Sequence, residues 1–168
     1  KGATGDYHTN LDAKGDAFVQ FITAKSQNND ELYNFGFLHI KAVDDASHDG
    51  NIEFKCKFIA KADEMIGNMI QKLSEYNKKA QQEDATRYEY AFVVTGDHTT
   101  PLLYGDHSDE PVPFLMCKLD SLENKVEQIE QVDGVQAFSE IDAAQGVLGR
   151  FPGGQVFNII KSYHMQAQ

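Results

Sequence analysis

The spacing of apolar residues predicts two amphipathic helices in the first half of the chain. Over residues 11–25, apolar side chains recur at the three- and four-residue intervals of a helix, and Asn10 or Asp12 is available as an N-cap. Residues 52–76 have the same period over a greater length and predict a long helix. The apolar residues of the two faces are Leu11, Phe18, Phe21 and Ile22 in the first helix and Ile59, Ala62, Ile66, Met69, Leu73 and Tyr76 in the second.

Three short apolar runs predict buried strands. Residues 35–43, 88–95 and 112–119 are rich in aromatic and β-branched side chains, and the first two runs end in polar turns. Pro113 is tolerated because it stands at the start of the third run. The long helix separates the first two strands, and this order predicts a right-handed parallel crossover. The chain is therefore predicted to have an α/β fold in layers, with a mostly parallel sheet.

The remaining segments are predicted to be loops and short helices. A polar stretch at 77–87 and a turn-rich loop at 99–111 connect the main elements. Residues 120–137 are charged and irregular, which is typical of a surface excursion, and a short helix is expected at 121–131. Three strands make only a thin sheet, and a parallel sheet needs further strands at its edges. Two more short helices are expected at 139–145 and 155–165.

Composition and charge narrow the possible partners. The chain has 168 residues, of which 41% are hydrophobic, and this length fits one globular domain. Its formal net charge of -11 repels phosphate backbones and anionic lipid, so that nucleic acid and membrane surfaces are poor partners. Cys56 and Cys117 lack metal-type spacing and are interpreted as reduced core residues of a cytoplasmic protein. The start at Lys1, within a glycine-rich phrase, favours a piece of a longer protein.

Acidic residues and histidines follow the first two predicted strands. Asp44 and His48 are four residues apart, so a helical turn would place both side chains on one face, where they could converge on one ion. Asp97 and His98 are adjacent, and in an extended chain they would point to opposite sides, which suits two ions better than one. His107 lies in the loop before the third strand. In parallel sheets such loops gather functional groups at one edge.

These residue types favour a metal centre. Carboxylate and imidazole ligands without a thiolate are typical of Mn²⁺ or Zn²⁺, with Co²⁺ possible, and two such clusters predict a pair of ions. The alternative is that the aspartates cap turns or helices and that the histidines are ordinary loop residues. Two clusters at equivalent strand ends, together with His107, favour the metal. The chain offers no convincing nucleophile, because no serine or threonine near these loops has the required setting.

Three longer phrases contain these residues: Lys41-Ala42-Val43-Asp44-Asp45-Ala46-Ser47-His48-Asp49-Gly50, Val94-Thr95-Gly96-Asp97-His98-Thr99-Thr100-Pro101, and His107-Ser108-Asp109-Glu110-Pro111-Val112-Pro113. In this order they resemble the C-terminal metal motifs of the cofactor-independent phosphoglycerate mutases, most closely the archaeal-type branch, within the alkaline phosphatase superfamily. The phrases 2–10 and 146–150 look like that branch too, so the resemblance spans nearly the whole chain.

The resemblance implies a ligand set. Asp44, His48 and His107 would hold one divalent ion, and Asp97 and His98 would contribute to the second. Many relatives have Pro and Gly where this chain has Val43 and Ser47, but neither position supplies a ligand. The implied fold is a three-layer sandwich, and residues 1–168 would be the C-terminal portion of its metal-binding domain.

The resemblance also implies that some catalytic groups lie outside this chain. In the family, a phosphoryl-carrying serine and further metal ligands come from an N-terminal segment, and an inserted domain encloses the substrate. Phosphate passes from 3-phosphoglycerate to that serine and back to the 2-hydroxyl of the same glycerate. This chain alone is therefore expected to be inactive. The alternatives are a related metal-dependent phosphohydrolase or phosphomutase of the same superfamily, or a non-catalytic metal-binding module.

Overall fold

The computed structural model describes residues 2–24, 33–84, 88–123 and 133–165. The chain divides into two compact units. The first comprises Lys1–Tyr88 and Thr100–His107, and the second comprises Glu89–Thr99 and Ser108–Gln168. Among the described residues, no helix is both long enough and apolar enough to cross a membrane.

Helix α1 spans Leu11–Ile22, which confirms the first predicted helix, and the side chain of Asn10 caps it by accepting a hydrogen bond from the Ala13 amide. The buried face of α1 consists of Leu11, Gly15 and Val19, which lie one helical turn apart. The predicted face was partly wrong, because Phe21 is exposed. The small side of the helix, centred on a glycine, therefore packs inward and allows a close approach to the long helix.

The long helix, α3, spans Ile52–Asp84 and has 33 residues, a length of about 50 Å at the usual helical rise. It continues past the predicted end at Tyr76 because Lys, Gln, Ala and Glu form helices well without any apolar period. Its buried side differs from the predicted one near the start, where Ile59 is 50% exposed. The core of the first unit is centred on Met65, Met69 and Leu73.

The predicted strand at 35–43 is wrong. Residues 35–41 have no regular secondary structure, and helix α2 begins at Ala42 and ends at His48. A strand needs a neighbouring strand as its hydrogen-bond partner, and no strand among the described residues pairs with this segment. Exposed and half-buried side chains nevertheless alternate over residues 37–41, and the outward Phe37 is 79% exposed.

The second unit contains one described sheet of two strands. Strand β1 (Ala91–Thr95) and strand β2 (Phe114–Lys118) confirm the other two strand predictions within shorter bounds, and they pair antiparallel with Val93 opposite Met116. The described sheet is therefore not parallel. A parallel pair needs a crossover, usually a helix, and the connection at 96–113 contains none.

Short helices follow the sheet. Helix α4 spans Leu119–Glu123, and the rest of the helix predicted at 121–131 lies outside the described residues. The two helices predicted in the tail are confirmed as α5 (Glu140–Ala143) and α6 (Val156–Met165), the latter preceded by a 3₁₀ turn. Neither cysteine is fully buried, since Cys56 is exposed on α3 and Cys117 is half-buried in β2. The expected core position of Cys56 is therefore wrong.

Two helix glycines provide a matched test of the α1–α3 packing. A Cβ atom at Gly15 would lie 2.7 Å from Cγ of Met65, whereas a Cβ at Gly67, on the exposed side of α3, meets no atom within 4 Å. We expect Gly15→Ala to lower the free energy of unfolding by about 1–3 kcal/mol through overpacking. Gly67→Ala should raise it by up to about 1 kcal/mol through helix propensity. Urea denaturation of both variants measures these changes. Equal changes in the free energy of unfolding would contradict the packing of α1 against α3.

Candidate metal centre

Helix α2 carries two of the predicted ligands. Its residues Ala42 and Ala46 are fully buried, and the helix packs against α3. Their small side chains allow a close approach, which fixes the rotation of α2. Asp44 and His48 are one turn apart, and Oδ1 of Asp44 lies 3.2 Å from Nε2 of His48. The expectation that a helical turn would bring these two side chains together is confirmed.

The third predicted ligand, His107, lies in the loop that follows Pro101. This loop turns at Gly105, whose amide donates to the Pro101 carbonyl at 2.9 Å and whose φ of 70° favours glycine. The carbonyl of Gly105 lies 2.9 Å from Nδ1 of His48. A carbonyl can only accept, so the neutral form of the His48 imidazole keeps its proton on Nδ1, and Nε2, on the side of His107, is the nitrogen that can bind a metal ion.

The three side chains present their ligand atoms to one point. Nε2 of His107 lies 3.1 Å from Nε2 of His48 and 3.6 Å from Oδ1 of Asp44, and all the ligand atoms of the group lie within 4.8 Å of one another. The circle through the three atoms has a radius of about 1.9 Å, slightly less than Zn–N and Zn–O bonds of about 2.0–2.2 Å. One divalent ion of that size can therefore contact all three atoms.

The carboxylate of Asp44 is already negative and oriented. Oδ1 accepts a hydrogen bond from the Thr100 hydroxyl at 2.8 Å, and Oδ2 accepts from Nζ of Lys41 at 2.7 Å. Burial raises the pKa of Asp44, but the hydrogen bonds from Lys41 and Thr100 outweigh it and lower the pKa to about 2. The hydrogen bonds to Asp44 and to Asp45 in turn raise the pKa of Lys41 to about 12. A deprotonated carboxylate is the form that a cation requires.

These contacts predict a pH dependence for the metal-free protein. The folded-state pKa of Asp44 is about 2, against 3.8 for a free aspartate. The ionised carboxylate therefore makes its full contribution to the free energy of unfolding above about pH 4, and this contribution is lost as the pH falls towards 2. We expect the loss to be about 1–2 kcal/mol. In a carboxyl NMR titration, Lys41→Gln should move the Asp44 midpoint to higher pH. An unchanged midpoint in that variant would contradict the role given to Lys41.

The other two predicted ligands, Asp97 and His98, lie in the second compact unit, directly after β1. Oδ2 of Asp97 lies 3.3 Å from Nε2 of His98, and Oδ1 accepts from the His98 amide at 3.1 Å. The expectation that these neighbours would point to opposite sides is wrong. The strand ends at Thr95 and the chain bends, so that the extended geometry behind that expectation does not apply.

Some residues that contact the cluster were not identified as site residues from the sequence. Thr100 was not predicted to be a site residue, because its sequence context is not that of a catalytic nucleophile. Its hydrogen bond to Asp44 joins residues 56 positions apart. No single-sequence signal predicts such a contact. Lys41 did carry a signal, because it precedes Asp44 and Asp45 by three and four residues, the spacing of helical ion pairs.

Comparisons with known proteins relate the chain to a metalloenzyme family and to phosphoglycerate mutases. A family model described as the Metalloenzyme superfamily matches residues 2–145. A 2,3-bisphosphoglycerate-independent phosphoglycerate mutase of Sulfurisphaera tokodaii is 36% identical over 167 residues, which cover 99% of this chain and 33% of that protein. A protein of Archaeoglobus fulgidus named 2,3-bisphosphoglycerate-independent phosphoglycerate mutase 1 is 33% identical, with coverage of 95% and 32%. The chain thus spans about a third of the length of these curated relatives.

A solved structure has a similar fold. The PH0037 protein from Pyrococcus horikoshii matches with a TM-score of 0.66 at 32% sequence identity. The match covers 95% of this chain and 39% of that protein. The similarity therefore extends over nearly all of this chain and leaves most of the solved chain unmatched.

Proposed function

Because the chain belongs to the Metalloenzyme superfamily, we propose that the complete protein is a cofactor-independent phosphoglycerate mutase, and that residues 1–168 form the C-terminal portion of its alkaline phosphatase-like metal-binding domain. The observation that carries the proposal is the cluster of Asp44, His48 and His107, whose ligand atoms fit one divalent ion. The mutase names of the relatives supply the substrate class, phosphoglycerate.

The proposed centre uses two divalent ions, Mn²⁺ or Zn²⁺, with Co²⁺ possible. Asp44, His48 and His107 would hold one ion, and Asp97 and His98 would contribute to the other. Bound ions would activate the nucleophile and neutralise charge on the transferring phosphoryl oxygens. The chain's own contribution is preorganisation, because the Gly105 carbonyl orients the imidazole of His48 and leaves its Nε2 for an ion.

The nucleophile would come from outside this chain. In the proposed reaction a serine takes the phosphoryl group of 3-phosphoglycerate and returns it to the 2-hydroxyl of the same glycerate, so that each step breaks one P–O bond and forms another. The serine and the remaining ligands of the second ion would belong to the N-terminal segment. The chain alone would then be inactive. We place the complete protein in the cytoplasm, where both free thiols remain reduced.

The rest of the protein would also complete the fold, as a three-layer sandwich with a mostly parallel sheet. Residues 37–41 support this proposal because their side chains alternate as in a strand, although no described strand pairs with them. The rings of Phe37 and His39 stack on the outward side with centroids 6.4 Å apart. A neighbouring strand from the N-terminal segment would pair with this segment and cover the exposed ring of Phe37.

An assay of the complete protein tests the proposed function. With 3-phosphoglycerate and Mn²⁺, we expect interconversion of 3- and 2-phosphoglycerate, followed by ³¹P NMR, and no interconversion by residues 1–168 alone. Release of inorganic phosphate from other esters without interconversion would instead identify a phosphohydrolase of the same superfamily. A complete protein that is folded and metal-free after incubation with Mn²⁺ or Zn²⁺, and inactive on all phosphate esters, would overturn the catalytic proposal.

A further inference from the structure

We propose that Thr100 is a positioning residue of the metal centre, which orients the ligand oxygen of Asp44; this inference rests on the metal site of the proposed function. The Thr100 hydroxyl donates to Oδ1 of Asp44 at 2.8 Å. Oδ1 is also the oxygen that lies closest to the two imidazoles, 3.2 Å from His48 and 3.6 Å from His107. Thr100 therefore acts on the atom that would bind the ion.

The two oxygens of Asp44 have separate partners. Lys41 binds Oδ2, whereas Thr100 binds Oδ1. A carboxylate oxygen has two lone pairs, so the bond from Thr100 occupies one and leaves the other for the ion. Without the hydroxyl, the carboxylate could rotate and share both oxygens with the Lys41 ammonium. The hydroxyl thus keeps one oxygen facing the imidazoles, while the lysine neutralises the other.

Thr100 is itself held in place from two directions. The residue is 6% exposed, and its carbonyl accepts a hydrogen bond from Nζ of Lys55 on α3 at 2.9 Å. It also precedes Pro101, and a residue before proline is restricted to extended backbone conformations. These restraints hold the backbone of Thr100 in place, and burial limits the freedom of its side chain, before any ion binds. They also join α3 to the loop that carries His107.

Groups that orient a metal ligand affect affinity without touching the metal. Loss of such a partner weakens metal binding by about 10- to 100-fold. Thr100→Val removes the hydroxyl and keeps the branched shape of the side chain, whereas Thr100→Ser keeps the hydroxyl. The neighbouring Thr99 supplies a matched control, because its hydroxyl donates to the carbonyl of Glu110 and not to a carboxylate.

The test is calorimetric titration of the complete, chelator-treated protein with Mn²⁺, with circular dichroism to verify folding. We expect Thr100→Val to weaken one binding site by about 10- to 100-fold, and both Thr100→Ser and Thr99→Val to remain within about threefold of wild type. If Thr100→Val does not fold, Thr100→Ala takes its place in the comparison with Thr100→Ser.

The outcomes separate this inference from the proposed function. Wild-type affinity in a folded variant without the hydroxyl overturns the role of Thr100 and leaves the metal site standing. Equal weakening by Thr100→Ser also overturns it, because the serine hydroxyl should restore binding. If the wild-type protein itself binds no Mn²⁺ or Zn²⁺, the proposed function fails and this inference fails with it.

Discussion

Replacing His107 by alanine in the complete protein is expected to reduce the rate of the proposed mutase reaction by about 10³-fold or more, since a catalytic ion supplies several kcal/mol of stabilisation to the transition state. Nε2 of His107 completes the triangle with Asp44 and His48. Removing it leaves two of the three ligands that the described residues supply, which weakens the hold on an ion. His107 lies in a loop and its side chain is half exposed, so the free energy of unfolding of the metal-free protein should change little.

Activity and metal content, measured on the same preparation, check this prediction. His8→Ala is the matched control, because the His8 side chain is 78% exposed and is not a member of the ligand cluster. It should keep both the metal and the rate of wild type. A His107→Ala variant with normal metal content and a normal rate would remove His107 from the centre.

Leu73→Ala is expected to have the largest effect on stability. The side chain of Leu73 is 2% exposed in the core of the first unit. Truncation of such a leucine removes buried apolar surface and leaves a cavity, which destabilises by about 2–5 kcal/mol. Because α3 also packs against α2, which carries Asp44 and His48, this loss should weaken the support of the ligand cluster as well.

Ile59→Ala is the control on the same helix. Ile59 is 50% exposed, and its truncation should lower the free energy of unfolding by less than about 1 kcal/mol. Urea denaturation of residues 1–168 measures both variants. Equal effects of Leu73→Ala and Ile59→Ala would contradict the location of the core.

The parts of the fold that depend on local sequence could be predicted. The apolar period predicts α1 and α3 because a helix satisfies its own backbone, and the four-residue spacing of Asp44 and His48 predicts their approach once α2 forms. The ion pairs of Lys41 with Asp44 and Asp45 also follow from their three- and four-residue spacing. These features need no information about distant residues.

The parts that depend on a distant partner could not be predicted. Residues 35–41 have the composition of a strand, but a strand forms only when another segment supplies its hydrogen bonds. The antiparallel pairing of β1 and β2 depends on the connection between them, which contains no helix. The Thr100–Asp44 hydrogen bond links residues 56 positions apart, and no periodicity encodes it.

The most direct test of the central claim is anomalous diffraction from crystals of the complete protein grown with Mn²⁺. We expect an anomalous peak within about 2.0–2.3 Å of Oδ1 of Asp44 and of Nε2 of both His48 and His107. An ordered ion bound elsewhere, with these three side chains making no contact to it, would contradict the assignment.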